Sequence, residues 1–163
     1  MTIIVENGTI VTDANSYVSD AEYVAYASQR SYSIGTDADT RENELIKAMD
    51  YLEQYRFRFK GLKVSGGQSL QWPRYGVYLD SFQLDSSLIP KELKRSQMEL
   101  AILSISSDLA PSGNLENVSS QSLGELSISY YSGGTYKSLQ HDNVDQYLDC
   151  LLINNGNVMS VRV

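Results

Sequence analysis

The stretch Gln68-Ser-Leu-Gln-Trp-Pro-Arg74 forms a corner between two long helical patterns. Proline pushes the residue before it out of the helical region of the backbone, so Trp72 ends any helix that reaches it. Helical spacing of apolar residues runs from Glu42 to Phe59 before the stretch and from Pro90 to Leu109 after it. We therefore predict that Trp72 is a structural residue that fills the angle between two helices. Arg74 offers five N–H donors beside it, suited to carbonyl or carboxylate oxygens, and we expect it to be a surface residue.

The composition is typical of one soluble globular domain. The chain has 163 residues, of which 42% are hydrophobic and 20% charged, which is enough to bury a core. Its apolar runs are too short to span a bilayer and its first residues lack a signal-peptide pattern, so we expect synthesis in the cytoplasm and no membrane contact. The single cysteine, Cys150, excludes an internal disulfide.

The net charge of −7 and the pI near 4.6 argue against binding to nucleic acid, which needs clustered cations. One local exception interleaves cations with aromatic rings, and we call its four cations, which follow, the basic patch: Arg56, Arg58, Lys60 and Lys63. Phe57 and Phe59 lie between them and could stack on bases. A simpler interpretation is that these cations complement the dipole at the end of the second helix.

The segments before the corner are predicted from capping residues and periodicity. Thr2–Glu6 has the composition of a short strand. Ser19 and Glu22 form a capping box that starts a first helix from about Asp20 to Gln29. In the second helix, from Glu42 to Phe59, the charged residues are expected to face solvent: Glu42, Glu44, Lys47, Asp50 and Glu53.

After the corner, Tyr75–Phe82 is predicted to be an aromatic loop rather than a regular element. The next helix starts at Pro90, because the first helical position tolerates proline. Met98–Ile105 is apolar nearly all round, which predicts that this helix is the central and most buried one.

The period changes to two in residues 117–131, which predicts a β-hairpin. Its unpaired edges suit contact with a neighbouring subunit. The candidate contact residues are Leu123, Gly124, Leu126, Ile128 and Tyr130. A last helix begins near Asp142 or Asn143.

The domain is predicted to span residues 1–153, followed by a C-terminal tail of residues 154–163. The end of the tail alternates and suits strand addition, either to its own sheet or to a partner. The residues concerned are Val158, Met159, Ser160, Val161, Arg162 and Val163.

The sequence does not predict an active site. One histidine, His141, and one cysteine are too few for a convincing nucleophile with its base, or for a metal site built on several such ligands. We therefore expect a protein that is not an enzyme, with no cofactor and no bound metal, of α+β class and mostly helical.

Two motifs carry a resemblance to a known family. The run Gln68–Arg74, which contains the structural motif Trp72, Pro73 and Arg74, follows Asp13-Ala-Asn-Ser-Tyr-Val-Ser19 at a characteristic spacing. Together they resemble a tailed-phage and prophage family labelled DnaT-like single-stranded-DNA-binding proteins. The fold of this family resembles that of head-completion, or head-to-tail adaptor, proteins.

The resemblance implies a virion structural protein at the head-tail interface. Such an adaptor forms a homo-oligomeric ring, expected to be a dodecamer, that binds the portal protein and a tail or further connector protein. Its C-terminal tail reaches the portal, and DNA passes through the channel without specific binding. The alternative implied by the family label is a replication protein that binds single-stranded DNA. That function would need the basic patch to form one groove, with Phe57, Phe59 or Trp72 as stacking platforms.

Overall fold

The computed structural model describes residues 2–109, 120–123, 126–129 and 142–153 and confirms the α+β class. The helices are α1 (Asp20–Arg30), α2 (Ala38–Glu53), α3 (Lys91–Ser106) and α4 (Asp142–Asp149). The strands are β1 (Leu62–Lys63), β2 (Arg74–Tyr75), β3 (Tyr78–Leu79), β4 (Phe82–Gln83), β5 (Ser120–Leu123) and β6 (Leu126–Ser129). They pair as the antiparallel hairpins β1–β2, β3–β4 and β5–β6. The chain divides into two compact units, Met1–Leu109 with His141–Val163, and Ala110–Gln140.

The second unit contains the predicted hairpin. Strands β5 and β6 pair in antiparallel register, with Ser120 opposite Ser129 and Leu123 opposite Leu126. Of the candidate subunit contacts, Gly124 and Tyr130 lie outside the described residues, as does the whole tail segment 158–163. The proposed roles of hairpin and tail therefore stay predictions.

The first helix starts as its capping residues predict. The Ser19 hydroxyl accepts the backbone N–H of Glu22 at 3.2 Å, and the Glu22 carboxylate accepts the backbone N–H of Ser19 at 2.9 Å. Helix α1 ends at Arg30, where Ser31 adopts a left-handed conformation. The capping box is confirmed.

The predicted bounds of the second helix are wrong at both ends. The helix begins at Ala38, because the Asp37 carboxylate accepts the backbone N–H of Thr40 at 2.8 Å and caps it. It ends at Glu53, after which the chain turns so that Phe59 forms an antiparallel bridge with Leu152.

The predicted exposure of Glu44 is also wrong. Its side chain is only 7% exposed and accepts the Tyr23 hydroxyl at 2.8 Å and the backbone N–H of Gly35 at 3.1 Å. Helical spacing places Glu44 beside the apolar face, where these donors compensate for its burial.

Helix α3 is the centre of the first unit and packs against both α2 and α4. It follows Pro90, as predicted, and its fully buried residues include Leu93 and Leu100. The predicted central position of this helix is confirmed by its packing, although its end is open to solvent, since Ile105 is 49% exposed. Burial is greatest in the first two thirds of the helix.

Two other local predictions need correction. The N-terminal strand is reduced to a single parallel bridge between Val5 and Ser16. The predicted aromatic loop contains strands β3 and β4, joined by Asp80 and Ser81 with φ of 49° and 70°. Positive φ at both residues of a two-residue turn matches the twist of a β-hairpin, which explains why this polar pair ends β3.

Candidate interaction surface

Trp72 lies in the core of the first unit and is 0% exposed. The ring of Phe59 packs edge-on against it, with 6.1 Å between ring centroids. The indole Nε1 is buried and has no hydrogen-bond partner among the described residues. Trp72 therefore stabilises the fold through apolar packing.

Arg74 organises the chain that carries the basic patch. Its buried guanidinium donates to the carbonyl oxygens of Lys60 at 2.8 Å and Gly61 at 2.7 Å. It also reaches the carbonyl oxygens of Phe59 and Gln71, at 3.4 and 3.3 Å. Burial lowers the pKa of Arg74, because the charged form loses solvation. The expectation that Arg74 lies at the surface is therefore wrong: its fork does contact carbonyl oxygens, but it is buried where it holds residues 59–61 in place.

The four cations of the basic patch have two different environments. The ammonium of Lys60 donates to the carbonyl oxygen of Cys150 at 2.8 Å, and that of Lys63 donates to the carbonyl oxygen of Gln68 at 3.3 Å. Both lysine side chains are half-buried and engaged with their own chain. Among the patch cations, the two arginines are therefore the exposed ones.

Each exposed arginine lies over an aromatic ring. The guanidinium carbon of Arg56 is 5.0 Å from the ring centroid of Phe57, and that of Arg58 is 5.3 Å from the ring centroid of Tyr55. These distances are typical of cation–π contacts. Arg56, Phe57 and Arg58, which we call the basic half, are all exposed.

Two of the three predicted stacking platforms are wrong. Phe59 and Trp72 are both buried in the core and present no face to a base. Phe57 is 85% exposed and is the one predicted platform that a base can reach. The predicted nucleic-acid site is thereby reduced to the basic half.

The structure also shows exposed apolar side chains on the strands between α2 and α3, where the sequence did not predict a regular element. Leu62 lies directly opposite Tyr75 in the β1–β2 pair, so both exposed side chains share one face of that hairpin. Tyr78 and Phe82, also exposed, lie on the β3–β4 hairpin. We use the name aromatic surface for the set of exposed residues Phe57, Leu62, Tyr75, Tyr78 and Phe82, which all lie between α2 and α3 in the chain. The run of aromatic residues in Tyr75–Phe82 was the signal available in the sequence.

The described ranges show neither a metal site nor a membrane-spanning helix. No group of three or more His, Cys, Asp and Glu residues there is placed to hold a metal ion. Among the helices of that part of the chain, none has the length and apolar character needed to cross a membrane.

The fold is that of a small α+β protein whose candidate site is a set of exposed, mostly aromatic residues between α2 and α3, with Arg56 lying over one of them, Phe57. The chain belongs to the family described as "Putative DnaT-like ssDNA binding protein", which it matches over residues 1–163. No curated protein and no solved structure matches it.

Proposed function

We propose that this protein is a virion structural protein, a head-to-tail adaptor that forms a ring under the portal and continues the DNA channel into the tail. The observation that carries the proposal is the exposure of seven large apolar residues between α2 and α3, of which five make up the aromatic surface. Exposed aromatic residues are enriched where proteins bind one another, because they bury much area and lose little rotamer entropy.

The charge of the protein supports this function. A chain with a net charge of −7 repels the phosphate backbone, which suits the wall of a channel through which DNA must slide. The Asp13–Ser19 and Gln68–Arg74 motifs resemble a family whose fold resembles that of phage adaptors, and this resemblance suggests the kind of assembly. Portal protein, a tail-side connector and further copies of this chain are the expected partners, at the head-tail interface of the virion.

Quantitative mass spectrometry of purified, DNA-filled virions tests the adaptor function. We expect the chain in a near-equal ratio to the portal protein. Virions made with Phe82→Ser should lose it, whereas Val24→Ser, a matched change at an exposed apolar position on α1, should leave the ratio unchanged. Absence of the wild-type chain from virions, with abundance in the infected-cell lysate, would overturn the proposal.

Single-stranded DNA binding is the second candidate, and the family description favours it over the adaptor function. The basic half supports it: Arg56 and Arg58 can contact phosphates while the exposed ring of Phe57 stacks on a base. The engagement of Lys60 and Lys63 with backbone carbonyls leaves a short footprint of two exposed cations.

Fluorescence anisotropy of a labelled oligothymidine across salt concentrations tests this candidate. Binding through the basic half should weaken as salt rises, and Arg56→Ala with Arg58→Ala should reduce both affinity and salt slope. Arg30→Ala with Lys47→Ala removes the same charge from exposed positions on α1 and α2 and serves as the control. No measurable binding at low salt would exclude this function.

A further inference from the structure

We propose that the basic half binds the β3–β4 hairpin of a second copy of this chain. This inference rests on the proposed function to one extent, namely that the aromatic surface binds protein. The acidic half is defined as Tyr78, Asp80 and Phe82, all exposed on the hairpin.

The two halves have opposite charge along continuous segments. Residues 54–63 contain four cations and no Asp or Glu, whereas residues 76–90 contain Asp80 and Asp85 and no Lys, Arg or His. Opposed charges across an interface favour encounter and fix the register of the partners.

The side chains of the two halves are also chemically matched. Asp80 lies at the hairpin turn between two exposed aromatic residues, Tyr78 and Phe82, which face opposite sides of the hairpin because Tyr78 pairs with Gln83 and Phe82 with Leu79. An arginine that reaches this hairpin meets both a carboxylate for a charge-assisted hydrogen bond and an aromatic face for cation–π contact. In its own chain each arginine of the basic half already lies over a ring, so the same chemistry is repeated between copies.

Hydrogen bonds to the segment after α4 hold the chain that carries the basic half. The Ile153 backbone N–H donates to the carbonyl oxygen of Arg58 at 2.7 Å, and the Lys60 ammonium donates to the carbonyl oxygen of Cys150 at 2.8 Å. The basic half is therefore fixed in place while its own side chains stay exposed to a second copy.

Charge-reversal variants test the pairing. The first carries Arg56→Glu and Arg58→Glu. The second carries Asp80→Asn and Gln83→Lys, at exposed positions. Asn is chosen because Asp80 has a φ of 49°, a conformation that Asn tolerates. Asp85 is left unchanged, because its carboxylate accepts the backbone N–H of Ser87 at 2.8 Å.

Light scattering coupled to size-exclusion chromatography measures the mass of each sample. We expect the wild type to associate in a concentration-dependent way, each variant alone to remain monomeric, and an equal mixture of the two to associate again. The control Arg30→Glu with Lys47→Glu makes the same charge change elsewhere and should associate like the wild type. The mass distinguishes a two-fold pair from a ring, and either supports the proposal.

Three results would overturn the pairing. The first is a wild type that stays monomeric up to about 1 mM, a concentration at which even weak association is populated. The second is variants that associate like the wild type, and the third is a mixture that stays monomeric.

Thermal unfolding of each variant confirms that it is folded, and Phe82→Ser gives an uncharged test of the same contact. Loss of oligothymidine binding in the first variant, with no rescue of mass in the mixture, assigns the basic half to DNA instead. Association of a chain that is absent from virions would retain this inference and reject the adaptor function.

Discussion

The backbone N–H of Trp72 donates to the hydroxyl oxygen of Tyr17 at 3.1 Å, which joins the two sequence motifs of the family directly. The backbone N–H of Tyr17 in turn donates to the buried amide oxygen of Gln97 on α3, at 2.9 Å. The Gln97 amide nitrogen donates to the carbonyl oxygen of Leu45 on α2, at 3.2 Å. The two motifs therefore act as one structural unit that connects the N-terminal loop, α2, α3 and the corner.

Tyr17→Phe should destabilise the protein by about 2 kcal/mol, because it leaves the Trp72 N–H buried without its acceptor. Burial raises the pKa of Tyr17, so its hydroxyl stays neutral and accepts this bond over the usual pH range. Urea unfolding measures the change. Tyr32→Phe, at an exposed tyrosine, should change stability by less than about 0.5 kcal/mol. Equal effects of the two substitutions would contradict the assigned role of the hydroxyl.

Trp72→Ala should cost about 3 to 5 kcal/mol of unfolding free energy, because it opens a large cavity in the core. Trp72→Phe should cost much less, since it keeps an aromatic ring and removes an N–H that has no partner among the described residues. Chemical denaturation of both variants tests this order, with Phe57→Ala as the exposed control. A loss below about 1 kcal/mol for Trp72→Ala would mean that Trp72 is not a core residue.

Arg74→Lys should destabilise the protein by about 3 kcal/mol, although it conserves the charge. A lysine ammonium cannot reproduce the planar fork that reaches the carbonyl oxygens of Lys60 and Gly61 together. Arg56→Lys, at an exposed arginine, should be nearly neutral in the same unfolding experiment. Similar stability of the two lysine variants would show that the fork geometry contributes little.

Asp20 and Arg41 provide a pH-dependent contact between α1 and α2. Two guanidinium nitrogens of Arg41 donate to the Asp20 carboxylate, at 2.6 and 2.8 Å, and this hydrogen bonding lowers the pKa of Asp20. A lowered folded-state pKa stabilises the protein above the ordinary aspartate pKa of about 4, and the contribution is lost as the pH falls through the folded-state value.

Asp20→Asn tests this contact through thermal unfolding as a function of pH. The wild type should unfold at a higher temperature than the variant near neutral pH, and the difference should shrink as the pH falls below about 4. Asp39→Asn, a change of the same kind in the first turn of α2, is the matched control. A difference that stays constant through this range would rule out titration of Asp20 as its source.

The sequence by itself determined the features that depend on local chemistry. The Ser19 and Glu22 capping box starts α1, Pro90 precedes α3, and alternating residues predict the β5–β6 pairing, because caps, proline and period act on a few neighbouring residues. The two motifs and their spacing also indicated the family to which the chain belongs.

Only the tertiary structure decided which polar and aromatic side chains are buried. Glu44 is buried because distant donors compensate its carboxylate, and Phe59 leaves the helix because it pairs with Leu152 and packs on Trp72. The exposure of Phe57 and the burial of Phe59, two residues apart in one basic and aromatic run, follow from where the rest of the chain packs. Local pattern carries no information about partners this far away in sequence, and these partners determine the candidate surface.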